Sequence, residues 1–173
     1  DLTVGPQWLA LMQREEPTIA ALAEFTESND RERTKQCLLA IYNAQRPADQ
    51  PATSLPARWL GIRLEDFLTK GDQKILYRRA ADTVTGEERL QLVVPRDLRR
   101  LLLEQKHDGQ HAGHPGCERT LQKIVERYWW PEVEQDVTDY IGSCISCLRL
   151  KPKRAGRIAG PMATPKPVYR PFE

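Results

Sequence analysis

All three histidines of this 173-residue chain, His107, His111 and His114, fall within eight residues, and two of its four cysteines form the pair Cys144-x2-Cys147. Read together, they give His107-x6-His114, a spacer of 29 residues, then Cys144-x2-Cys147. Two nitrogens and two sulfurs suit Zn²⁺, which takes tetrahedral Cys/His sites and has no redox activity of its own. The C-x2-C spacing lets one tight turn offer both sulfurs to a single ion. His111 lies x3 from His107 and x2 from His114, a workable ligand spacing, so one histidine is left over once four ligands are filled. A filled site has no place for a reactive water, which points to structural rather than catalytic zinc. Two other chemistries compete. A C-x2-C pair alone fits a thioredoxin-like redox centre, but that motif sits between a strand and a helix. Here the pair follows an expected helix and precedes a basic coil. Cys117 close to the histidines suggests an activated thiolate, although zinc would claim two of those histidines.

The elements that must position these ligands can be read from periodicity. Helices are expected over 6–13, 17–26 and 29–45. Pro6 and Pro17 suit first helical turns, Ile19, Leu22 and Phe25 recur every three residues, and Asn29 can cap the third helix. A proline-rich loop over 47–56 follows, then a short helix over 57–69. Residues 73–79 and 88–94 read as strands, joined into a hairpin through a segment containing Gly86. PRDLRRLLLEQKH reads as a helix ending near His107, with Leu98, Leu101 and Leu102 on one face. Two further helices are expected over 116–128 and 131–142. They carry Leu121, Ile124, Val125, Val133, Val137 and Ile141, and Trp129 and Trp130 lie between them. Three short helices make a marginal core, which zinc would reinforce.

The expected architecture is mainly α with a small β-hairpin. It divides into a helical lead-in over 1–50, an extension domain with the hairpin over 51–95, a three-helix zinc-binding domain over 96–150 and a basic linker over 151–173. Charged residues are 29% of the chain and hydrophobic residues 40%, a globular balance. No apolar run approaches the roughly 20 residues of a membrane span. Residue 1 is Asp, which suggests a processed product or a piece of something longer. The net charge of +2 hides an asymmetry: residues 148–173 hold seven Lys/Arg against one acid, leaving 19 basic against 23 acidic residues elsewhere. A basic tail on an acidic body suggests a polyanion near the C-terminus, or simply a solubilising linker.

The stretch from Lys106 to Lys151 resembles the zinc-binding region of integrases from Ty3/Gypsy-type long-terminal-repeat retrotransposons. The residues that carry the resemblance are His107-Asp108, Gly113-His114-Pro115-Gly116, Arg119-Thr120, Tyr128-Trp129-Trp130-Pro131, Val137, Tyr140 and the run Cys144 to Lys151. It covers about residues 88–151. Upstream, Gln13-Arg14-Glu15-Glu16-Pro17 is similar to the helical lead-in of such integrases, and the hairpin to their N-terminal extension domain. The resemblance implies that the zinc ligands are His107, His114, Cys144 and Cys147, with His111 in a variable spacer. It implies a region that is not catalytic itself, preceding an RNase H-like core that would lie beyond Glu173. It implies contact with DNA, assembly into homo-oligomers and an intracellular, nuclear place of action. Candidate phosphate contacts are Arg119 and Lys123, four apart on one helix, and Lys151, Lys153, Arg154 and Arg157 in the tail; the helix pair equally suits a solvated face. A domesticated copy could instead serve as a protein-interaction module with no role at DNA.

Overall fold

A computed structural model describes residues 4–44, 52–55, 59, 62–81, 86–110 and 112–150. Among them are seven α-helices, a 3-10 turn and one four-stranded sheet. Helices α1 (Pro6–Glu15), α2 (Pro17–Ser28) and α3 (Arg31–Ala44) come first. After the 3-10 turn Leu64–Asp66 come strands β1 (Phe67–Lys70), β2 (Ile75–Ala81) and β3 (Glu88–Val93). Helices α4 (Arg96–His107) and α5 (Cys117–Val125), strand β4 (Tyr128–Trp129), and helices α6 (Val133–Gly142) and α7 (Ile145–Leu150) follow among the described residues.

The first three helices lie where periodicity puts them, with one change of punctuation. Asn29 closes α2 in a left-handed conformation, φ 54°, its N–H bonded to the Phe25 carbonyl. The cap of α3 is Asp30, whose carboxylate accepts the Arg33 N–H at 3.0 Å. A short amide side chain tolerates the left-handed region, which lets one residue end a helix and the next begin another.

The helix expected over 57–69 is corrected at its C-terminal end. Residues 64–66 form a 3-10 turn and Phe67–Lys70 a strand, paired antiparallel with β2. Gly71 at φ 73° and Lys74 at φ 52° turn the chain between them, so β2 begins at Ile75 rather than at residue 73. Phe67 buries its ring edge-on against Trp129, 5.2 Å between centroids. Pairing with β2 and that burial outweigh a weak local helical pattern.

Strand order is β1-β2-β3-β4, antiparallel except for the parallel pair β3–β4. The register Tyr77↔Leu92 would next place Leu76 opposite Val93. There the buried side chain of Gln13 intervenes. Its amide N–H donates to the carbonyls of Leu76 (3.2 Å) and Val93 (2.7 Å), and its oxygen accepts the Leu76 N–H (2.8 Å). Nearby, Glu16 accepts the Arg96 N–H at the start of α4 and the Arg99 guanidinium. The Gln13-to-Pro17 segment thus ties α1 and α2 to the sheet and to α4.

Both apolar clusters have members on either side of residue 95. One apolar cluster joins Leu9, Ala10 and Ile75 to Leu98, Leu102, Ile124, Trp130, Val137 and Ile141. The second joins Leu22, Phe25, Phe67 and Leu76 to Val93 and Trp129. The two faces of the sheet supply one cluster each, and β4 extends the sheet into the 96–150 region. That region holds four helices rather than three, because Ile145–Leu150 is helical too.

Replacing Gln13 by Leu leaves buried backbone groups of Leu76 and Val93 without partners, at about 1–3 kcal/mol for each group. Chemical denaturation of the zinc-loaded chain is expected to show a loss of at least about 2 kcal/mol, whereas Gln7→Leu, on the exposed face of α1, should change little.

Candidate metal centre

Four ligand atoms converge from two directions. His107 is the last residue of α4, and His114 lies seven residues further on, after the chain leaves the helix at Gly109. A Cβ at residue 109 would lie 2.5 Å from the Gln105 carbonyl oxygen, so only glycine lets the chain turn off the helix this closely. Gly113 (φ 68°) and His114 (φ 49°) are both left-handed. For histidine that conformation is costly; here the His114 N–H is bonded to the His107 carbonyl at 3.1 Å, which holds the turn closed. From the other side, Cys144 follows α6, with its N–H on the Ile141 carbonyl, and Cys147 sits in the first turn of α7.

The nitrogens of His107 and His114 and the sulfurs of Cys144 and Cys147 all lie within 4.8 Å of one another. The His107 Nε2–His114 Nδ1 distance is 3.4 Å, His114 Nδ1–Cys144 Sγ 3.5 Å and His107 Nε2–Cys147 Sγ 3.4 Å. A zinc tetrahedron with bonds of about 2.05 Å to nitrogen and about 2.3 Å to sulfur has edges of about 3.4 Å (N–N) and about 3.6 Å (N–S). The residues present therefore fit the ion in type, number and spacing.

The imidazole orientation is set by the surrounding chain. His107 is fully buried, and its Nδ1–H donates to the Pro115 carbonyl at 3.0 Å. That fixes the tautomer with a lone pair on Nε2, the nitrogen facing the other ligands. The hydroxyl of buried Thr120 donates to the same carbonyl at 3.3 Å. Pro115 and Thr120 are thus positioning residues of the site. Beneath it, Trp130 is fully buried and donates its indole N–H to Asp136 at 2.7 Å.

Two neighbours of the site are Asp108 and Tyr140, which the sequence motif contains but which ligand chemistry alone does not single out. Tyr140 donates its hydroxyl to Asp108 Oδ2, and Asp108 Oδ1 lies 3.3 Å from His114 Nδ1. Burial, then the bond to Asp108, holds the Tyr140 phenol well above its ordinary pKa.

His111 lies outside the described residues, as do Lys151, Lys153, Arg154 and Arg157. Arg119 and Lys123 are exposed on α5. Cys117 is exposed at the start of α5 and is not among the four converging residues. A cleft of about 780 Å³ beside α4 and α6 engages its charged groups internally: Arg99 pairs with Glu16, and Trp130 and Trp59 donate to Asp136 and Glu132. Among the described residues no helix is long and apolar enough to cross a membrane.

Comparison with known proteins identifies the domain. Residues 94–153 match the family model of the integrase zinc binding domain. The Gypsy retrotransposon integrase-like protein 1 of Macaca fascicularis is 29% identical over 108 residues, 60% of this chain and 19% of that protein. The Pro-Pol polyprotein of feline foamy virus is 32% identical over 81 residues, 47% of this chain and 7% of that protein. The transposon Tf2-3 polyprotein of Schizosaccharomyces pombe is 27% identical over 85 residues, 48% of this chain and 6% of that protein. The matches thus span less than a fifth of these relatives' length. No solved structure matches.

Cys144→Ser and His107→Gln are each expected to reduce zinc from about one ion per chain toward none, whereas His111→Gln should keep full occupancy; metal analysis of the purified chain decides between these ligand sets. The four-residue N2S2 geometry and the family match agree on one conclusion: residues 94–153 are an integrase zinc-binding domain of the Ty3/Gypsy retrotransposon type.

Proposed function

We propose that this chain is the non-catalytic N-terminal region of a retroelement-type integrase, built around a structural zinc held by His107, His114, Cys144 and Cys147, and that it acts in DNA contact and multimer assembly. The observation that carries the reading is the near-tetrahedral set of four ligand atoms inside the matched domain. A full set of protein ligands leaves the ion no open position for a substrate. Its chemistry would be to neutralise two thiolates and cross-link the end of α4 to the start of α7.

The role at DNA rests on charge placement. Arg119 and Lys123 point one exposed stripe of α5 outward, beside the site that zinc would stiffen. The tail from residue 148 carries all of the excess positive charge, seven basic residues against one acid, while the rest of the chain has 19 basic against 23 acidic residues. Contacts of this kind hold phosphates and position the protein without reading sequence. A nuclear place of action and self-association belong to the same reading.

Duplex binding is expected to weaken with salt at about −0.9 in log K per log salt for each phosphate contacted, or about −4 to −5 in total if four to six cations engage. Neutralising Lys151, Lys153, Arg154 and Arg157 together should remove most of that slope and leave zinc content unchanged. If the tail variant binds like the parent while Arg119→Ala with Lys123→Ala does not, the contact lies on α5. A zinc-loaded parent with no duplex binding even at low salt would reject the DNA role in favour of a protein-interaction module.

A further inference from the structure

The two halves of the ligand set, which zinc would join, are also connected by a polar link. His107 ends α4 and His114 lies in the turn that follows it; Cys144 and Cys147 come from beyond α6, 30 residues or more later in the chain. Asp108 is the residue on which α4 ends, and Tyr140 lies in the last turn of α6. Their hydrogen bond, hydroxyl to Oδ2, spans these two ends. The other carboxylate oxygen, Oδ1, faces the ligands. It lies 3.3 Å from His114 Nδ1, 3.7 Å from His107 Nε2 and 3.8 Å from Cys144 Sγ. The Tyr140 ring also packs edge-on to His107, 5.9 Å between centroids.

Resting on the zinc assignment above, we propose that Asp108 and Tyr140 act as one positioning latch for the metal site. Tyr140 holds the carboxylate in place, and the carboxylate brings the histidine half and the cysteine half into register. The arrangement has two consequences. The ligands are gathered by protein contacts, so less ordering remains to be done when the ion binds. A fixed negative charge also stands beside a cation whose ligands include only two thiolates. Outer-shell partners that hold metal ligands change metal affinity by about 10–100-fold; Asp108 Oδ1 stands beside the metal-facing nitrogens rather than accepting a ligand's other N–H. Asp108 is not one of the four ligands in this reading. Four protein ligands already complete a zinc tetrahedron, and Asp108 Oδ1 lies to one side of the set, near three of its members.

The test uses the full chain and two minimal substitutions. Tyr140→Phe keeps the ring against His107 and removes only the hydroxyl; Asp108→Asn keeps the side-chain shape and removes the charge. Zinc affinity is measured by competition with a chelating indicator, and ligand geometry from the absorption spectrum of the Co²⁺-substituted protein. Each variant is expected to bind zinc about 10-fold or more weakly. The double variant should be no weaker than the weaker single, because both changes break one link. At saturation, Co²⁺ in each variant should still show the bands of a tetrahedral two-thiolate site, with the thiolate charge-transfer band of Asp108→Asn moved to shorter wavelength. A purely structural role would leave that band in place.

Parent affinity in Tyr140→Phe, losses that multiply in the double variant, or an unmoved band in Asp108→Asn would overturn the latch. A parent chain that binds no zinc would instead remove the zinc assignment itself, so the two failures are distinguishable.

Discussion

Bringing two imidazoles and two thiols from opposite ends of a 41-residue span to within 4.8 Å is the constraint around which the 96–150 region is arranged. Every element between His107 and Cys147 serves that return. Gly109 lets the chain leave α4 at once, and the Gly113-His114 turn points a second nitrogen back at the first. The Pro115 carbonyl, shared by His107 and Thr120, fastens the start of α5 under the site. Helix α6 then runs back over Trp130 and delivers Cys144 at its end. Two neutral imidazoles and two thiolates are a poor set of neighbours without a cation and a good one with it, which is why folding and metal binding are linked in such domains.

The site does not stand on that region alone. Strand β4 leaves the zinc-binding region and pairs in parallel with β3, so the surface under the metal centre continues into the sheet. Gln13 closes the place where β2 and β3 separate, and Glu16 fastens the first turn of α4. A helix from the first fifteen residues is thereby part of the support of a ligand at residue 107. Parallel strands need a crossover between them, and here that crossover, residues 94–127, contains both histidine ligands.

This arrangement divides labour between buried and exposed residues. His107, Cys147, Trp129, Trp130 and the Gln13 amide face inward, where geometry is strict. Arg119 and Lys123 face outward on α5, where geometry is less strict.

The ligand chemistry was legible from sequence because it depends on residue type and spacing. Histidines and cysteines at that spacing suit tetrahedral zinc, and the choice of His114 over His111 came from the resemblance that the Gly-His and Tyr-Trp-Trp-Pro motifs carry. Six of the seven helices among the described residues were legible as well, from periodicity and from Pro6 and Pro17. What sequence could not decide were the features created by contacts distant in the chain. Phe67–Lys70 is a strand because β2 and Trp129 lie beside it, and Tyr128–Trp129 because β3 does. Helix α7 is too short for periodicity to reveal. Gln13 reads as an ordinary helical glutamine until two strands 63 and 80 residues away present their backbone to it. The place of Asp108 beside three ligand atoms is of the same kind. Local patterns follow from covalent geometry and propensity and can be read in a window of residues; pairing across a sheet and the company of a metal site depend on which distant segments meet, and only the folded chain determines that.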